Sequence, residues 1–125
     1  MILGLGIDLV EVARIEHALA RFGPRFLARI LCDLEVAYCQ SQSSPAKNVA
    51  CRFAAKEAVA KAFGTGIGAE LGWKDIEVVR LASGEATVEM RGAGVELLKS
   101  RGGQKVLISM THTGSHAAAV AVIDG

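Results

Sequence analysis

Aromatic side chains are scarce in this sequence: four Phe, one Trp and one Tyr make up 5% of its 125 residues. Small side chains are correspondingly common: 20 Ala fall within the 51% hydrophobic share, and 14 Gly stand beside it. A core built this way buries little apolar area per residue, which favours subunits that complete one another. Excess charge of either sign is also missing, since 14 Lys and Arg face 13 Asp and Glu for a formal net charge of +1. No global field then holds nucleic acid by counterion release, and any basic patch is local. Cys32, Cys39 and Cys51 are odd in number, form no CxxC pair and fall in segments that read as helical. That argues against a disulfide framework or a zinc site and leaves buried thiols. No apolar run approaches the ~18 residues of a membrane span, and the longest covers 117–123. The apolar start has no basic leader and meets Asp8 within a few residues, so it does not read as a signal peptide. A soluble, cytoplasmic protein is expected, without membrane or nucleic-acid partners.

What is present fills one domain, residues 1–125, and the apolar content rules out disorder. Residues 2–10 read as a buried strand, and Val12, Ile15, Ala18, Leu19 and Phe22 recur at helical spacing over 11–22. Gly23-Pro24 ends that helix, 26–31 suggests a helical turn, and Asp33 suits the N-cap of a helix over 34–42. After a Ser-rich loop at 41–45, the Ala-rich stretch 47–63 predicts a strong helix stopped by Gly64, followed by a glycine-rich loop at 65–72. The period then changes. Residues 76–82 and 86–90 read as a hairpin around Ser83-Gly84-Glu85, 93–100 as a short helix, and 104–110 and 117–123 as strands joined by a polar turn at 111–116. The order predicts a single compact α+β domain, with helices in the N-terminal half and mostly antiparallel strands in the C-terminal half.

Three constellations carry chemistry. Asp8 interrupts an apolar strand, where a carboxylate is costly to bury without a cation or hydrogen bonds; capping the helix that follows is the competing reading. Glu57 and Lys61 lie four apart on one helix face, ahead of Gly64-Thr65-Gly66-Ile67-Gly68, and a turn of that kind offers backbone donors to an anion with Lys61 one turn upstream. An exposed i,i+4 ion pair is the alternative there. Thr111-His112-Thr113-Gly114-Ser115-His116 places an imidazole among hydroxyls, suited to a phosphate or sugar, or simply to a solvated turn. Separately, Arg14 and Arg21 share a helical stripe with position 18, and Arg25 and Arg29 follow beyond Gly23-Pro24.

Taken together, Gly6-Ile7-Asp8-Leu9-Val10-Glu11, Arg52-Phe53-Ala54-Ala55-Lys56-Glu57-Ala58 with Lys61-Ala62-Phe63-Gly64-Thr65-Gly66-Ile67-Gly68, Trp73-Lys74-Asp75-Ile76-Glu77-Val78 and Thr111-His112-Thr113 resemble the small phosphopantetheinyl transferases of the holo-[acyl-carrier-protein] synthase type over nearly the whole chain. Two positions depart from the pattern: Thr111 stands where Ser is usual before the late His, and Cys32 where Thr usually caps the second helix, with Asp33 expected to take the cap. The resemblance implies the phosphopantetheinyl transferase fold and transfer of 4'-phosphopantetheine from coenzyme A to a serine of apo acyl carrier protein, for fatty acid biosynthesis. It implies a Mg²⁺ ion on Asp8 and Glu57, with Lys61 and the backbone of Gly64, Thr65 and Gly66 on phosphate, and Arg52 and His112 on coenzyme A. Asp8, Glu57 and Lys61 are the implied catalytic set. Glu57 is the implied base, directly or through a bound water, with Glu35 as an alternative helper; Lys56 secures either the fold or the adenosine end. Arg14, Arg21 and Arg25 are the expected patch for the acidic carrier, and a homotrimer with shared sites is expected. A non-catalytic coenzyme A or nucleotide-binding module and a purely structural trimer subunit are the other readings.

Overall fold

The computed structural model describes residues 1–125. Strand β1 (Ile2–Glu11) leads into helices α1 (Val12–Phe22), α2 (Pro24–Ile30), α3 (Asp33–Gln40) and α4 (Pro45–Phe63). A 3-10 turn at Trp73–Asp75 opens the second half, followed by β2 (Ile76–Arg80), β3 (Ala86–Met90), α5 (Ala93–Ser100), β4 (Lys105–His112) and β5 (His116–Asp124). The strands form an antiparallel sheet in the order β1-β5-β4 and a separate β2-β3 hairpin.

Helix α4 organises the fold because it is buried along most of its length from Val49 to Phe63, leaving only the side of Glu57 and Lys61 open. A helix covered on so much of its circumference is a core helix. Its alanines Ala54, Ala55 and Ala58 lie buried, as do Ala117, Ala119 and Ala121 of β5. Small facing residues let helix and sheet approach closely, and the closest approach is at β1. A side chain added at Gly6 would meet the Ala58 carbonyl oxygen at 1.9 Å, and one at Gly4 the Ala62 carbonyl oxygen at 2.2 Å. Both glycines are therefore spacers that bring the α4 backbone onto β1. At its far end α4 stops at Gly64, whose φ of 77° is the left-handed conformation that closes helices.

Three expectations are corrected. Strand 2–10 is not buried on both faces: Gly6 and Val10 point under α4, whereas Leu5, Ile7 and Leu9 are 65–69% exposed on the opposite face. Alternation along a strand allows one covering helix to bury only every second residue. Asp33 is the first residue of α3, not its cap. Cys32 holds the cap position, but its thiol, pushed up to about 11 chiefly by burial, caps nothing; instead its N–H donates to Glu35 Oε1 at 2.8 Å. The polar turn is shorter than 111–116, because Thr111 and His112 finish β4 and His116 begins β5. All three cysteines are free thiols, with Cys39 and Cys51 buried.

Gly6→Ala forces a methyl group onto a backbone oxygen that cannot rotate away. It should destabilise the protein by at least the ~1–3 kcal/mol of an overpacked core, read as a lowered urea midpoint, whereas an unchanged midpoint would refute the close-approach role.

Candidate active site

The backbone spacing set by Gly4 and Gly6 decides what happens two residues later. Asp8 shares their face of β1, so its carboxylate emerges where α4 presents Glu57 and, one turn on, Lys61. Lys61 Nζ donates to Asp8 Oδ1 at 2.9 Å and to the Ile7 carbonyl at 3.1 Å. That hydrogen bond holds the Lys61 ammonium above its ordinary range. Glu57 is shifted in the direction of a weaker acid, first by burial and then by the nearby Asp8 charge, with Lys61 and Arg14 opposing. Two carboxylates and one ammonium thus converge from two elements, with Lys61 half exposed and Asp8 mostly covered.

Carboxylates crowded together favour a cation between them. Mg²⁺ takes one or two protein carboxylates and fills its other positions with water and phosphate oxygens. No group of three or more His, Cys, Asp or Glu side chains converges to make a closed cage. Asp8 and Glu57 therefore fit a hard cation whose remaining positions stay open to substrate oxygens.

Arg14 borders this cluster, its guanidinium 5.3 Å from the centre of the Phe53 ring, one turn before Glu57 on α4. Arg21 lies over the Phe22 ring at the same distance. Arg25 and Arg29 line a cavity of about 350 Å³ with Ala18, Phe22 and Phe26, between α1 and α2. Phe22 thus belongs to an open, half-exposed surface beside the arginines and not to the covered face of α1.

The glycine loop differs from expectation. The N–H groups of Thr65 and Gly66 both turn back to the Ala60 carbonyl, at 3.2 and 3.3 Å, and that of Gly64 to Lys61 at 3.0 Å. The end of a helix leaves carbonyls without partners, and these three donors satisfy them. In this structure the N–H groups of Gly64, Thr65 and Gly66 are thus engaged at the end of α4, and Lys61 is the donor facing the site. Sequence reading also missed Arg101, whose Nη1 donates to the Phe63 carbonyl at 2.7 Å and braces the same helix end; a lone arginine past α5 carries no local signal of this.

Glu35 is corrected as well. It is 1% exposed and its carboxylate accepts from Lys56 Nζ, Cys32 N and Val78 N, so it has no path to a substrate hydroxyl. Lys56, fully buried, secures the fold. Arg52 lies nine positions before Lys61, roughly 180° around the helix, and is buried with its guanidinium 4.5 Å from the Tyr38 ring. Its Nη1 donates to the Asn48 carbonyl at 3.4 Å, its Nε has no partner, and Arg80 approaches the same ring at 5.8 Å. His112 stands exposed at the end of β4, where Cys51 Sγ reaches the Thr111 carbonyl at 3.9 Å. Within one protomer the structure brings Asp8, Glu57, Lys61 and Arg14 together, and leaves Arg52 and His112 toward the N-terminal half of α4.

The chain is similar to known proteins over nearly its whole length. The family model of the 4'-phosphopantetheinyl transferase superfamily matches residues 4–121. The holo-[acyl-carrier-protein] synthase of Koribacter versatilis is 43% identical over 124 residues, covering 99% of both chains. The crystal structure of the Neisseria meningitidis holo-[acyl-carrier-protein] synthase superposes with a TM-score of 0.93 at 34% identity over all of both chains. That of the Helicobacter pylori holo-[acyl-carrier-protein] synthase in complex with coenzyme A does so with a TM-score of 0.86 at 32% identity, over 96% of this chain and 99% of that one. With two glycines pressing α4 onto β1 and an acidic pair beside Lys61 at that contact, the chain belongs to the 4'-phosphopantetheinyl transferase superfamily, among its holo-[acyl-carrier-protein] synthases.

Proposed function

We propose that the chain transfers 4'-phosphopantetheine from coenzyme A to a serine hydroxyl of apo acyl carrier protein and releases adenosine 3',5'-bisphosphate. The observation that carries this reading is the convergence of Asp8, Glu57 and Lys61 at the β1–α4 contact. Phosphoryl transfer needs positioned charge more than covalent help from the protein. Asp8 and Glu57 are the residues to hold Mg²⁺, which when bound supplies positive charge at the pyrophosphate. Lys61, held by Asp8, directs its remaining donors outward to phosphate oxygens. Glu57 is the candidate to accept the serine proton at its carboxylate, directly or through one water. Arg52, with an unpaired Nε beside Tyr38 and Arg80, and exposed His112 are the candidates for the nucleotide end of coenzyme A.

The assembly follows from the sheet. Leu5 pairs with Val122, Ile7 with Val120 and Leu9 with Ala118, so the face turned away from α4 is apolar along β1 and β5 and reaches β4 at Leu107, beyond which Ser109 and Thr111 are polar. A patch of this kind marks an interface. We assign it to identical subunits, three by family resemblance, with sites shared between neighbours so that one subunit's Arg52 or His112 serves another's Asp8–Glu57 cluster. No helix is long and apolar enough to cross a membrane, and a cytoplasmic location suits both substrates.

Asp8→Ala and Glu57→Ala should each lower transfer by on the order of 10²-fold or more while leaving the fold intact. Intact mass of the carrier after incubation with coenzyme A and Mg²⁺ gives the measurement. EDTA should stop the wild-type reaction and Mg²⁺ restore it. Full turnover in either variant, or in EDTA, would rule out the acidic pair as the working site.

Light scattering at micromolar concentration should return about three times 13.1 kDa, and Ile7→Lys should reduce this to the monomer. A fully active wild-type monomer contradicts shared sites.

For the carrier, Arg21→Glu and, more strongly, Arg14→Glu with Arg21→Glu should raise KM for the acidic partner, roughly tenfold for the pair, with the salt dependence weakened. A double variant that keeps the wild-type KM across salt concentrations would move docking elsewhere.

A further inference from the structure

We infer that the buried Glu35–Lys56 pair is a positioning device that fixes α2, with its Arg25–Arg29 cavity, against the catalytic helix; this rests on the carrier-docking reading above. Lys56 precedes Glu57 on α4, so whatever it grips is placed relative to the site. Its ammonium has three donors, and all are used, on Glu35 Oε1 at 2.6 Å, the Ile30 carbonyl at 2.8 Å and the Trp73 carbonyl at 3.1 Å. Ile30 is the last residue of α2, Glu35 sits in the first turn of α3, and Trp73 opens the segment after the glycine loop. Glu35 in turn takes the Cys32 N–H at 2.8 Å and the Val78 N–H at 3.1 Å.

Neither side chain is more than 1% exposed, and burying both charges costs desolvation that their attraction only partly offsets. Apolar residues would fill that volume without the penalty. What an ion pair adds is direction: it selects particular backbone atoms and holds them at fixed distances. Helix α2 needs this, because seven residues are too few to hold a helix by themselves. Its N-terminal end is joined to α1 through Gly23-Pro24, and its C-terminal carbonyl is tied to Lys56. Leu27 and Ile30 bury α2 in the core, and the Lys56 ammonium adds the one polar tie from α4 that indexes the cavity lined by Arg25, Phe26 and Arg29 to Glu57. Loosening that tie lets a docked carrier sit askew, with its serine out of line with the phosphate.

The test uses the full chain and two variants, Glu35→Gln, which keeps the shape and an acceptor, and Glu35→Gln with Lys56→Met, which removes both charges together. Circular dichroism and light scattering establish folding. Hydrogen exchange followed by mass spectrometry should show 24–30 losing protection while 49–63 keeps it. Coenzyme A affinity, by calorimetry without carrier, should stay at the wild-type value. The kcat/KM for the carrier should fall roughly tenfold to a hundredfold, as for a misplacement of about 1 Å. Arg25→Glu should then cost several-fold less in the double variant than in the wild type. Unchanged exchange at 24–30, loss of protection everywhere alike, costs that simply multiply, or failure of both variants to fold would each overturn the positioning role. A wild-type chain that transfers nothing would sink the activity reading separately, and the exchange measurement would still decide this one.

Discussion

The distance between the backbones of β1 and α4 is the constraint on which the site depends. It is set by hydrogen atoms at Gly4 and Gly6 meeting carbonyl oxygens of Ala62 and Ala58. Because backbone atoms define that distance, rotamer changes cannot vary it. Asp8, Glu57 and Lys61 then need little further scaffolding, since each follows from strand alternation or helix periodicity counted from the contact. Small facing residues elsewhere, Ala54, Ala55 and Ala58 against Ala117, Ala119 and Ala121, continue the same close packing along the sheet. This explains why a chain so poor in aromatic residues has a defined core.

Much of this was legible in the sequence because it lies in local pattern. The Ala-rich run stopped by Gly64, the hairpin around Ser83-Gly84-Glu85 and the helix Ala93–Ser100 need only nearest neighbours to be read. The cost of burying a lone carboxylate signalled that Asp8 needs a partner, but that Lys61, 53 positions away, is one of them shows only in the fold. What could not be read was how polar groups would divide long-range partners. Glu35 and Lys56 both looked available for chemistry, and only the fold reveals that each is consumed by the other and by backbone atoms. The glycine loop misled for a related reason. Its composition does not reveal that the N–H groups of Gly64, Thr65 and Gly66 bond to the last carbonyls of α4.

The outer side of strand β1 shows the limit of pattern reading from the other direction. The apolar stretch from Ile2 to Val10, broken only by Asp8, reads as a buried strand, and one face is open in the single chain. Helix α4 covers the side of Gly6 and Val10, while Leu5, Ile7 and Leu9 on the other side are equally apolar and stand exposed. Sequence periodicity registers both alike, because it reports that a residue is apolar and not what touches it.

Alternation along β1 also ties two properties to one pairing choice. Ile7 and Asp8 are neighbours in the chain yet belong to opposite sides of the sheet, one apolar and outward, the other acidic and turned to α4. Sliding β1 along β5 by one residue would exchange the sides completely. The carboxylate would then stand in the apolar surface, while isoleucine and leucine side chains would collide with the α4 backbone where only glycine fits. A protomer mispaired in this way would lose its site and spoil its outer face in the same event. One register therefore builds the acidic side and the apolar side together, and a single pairing error would cost the chain both.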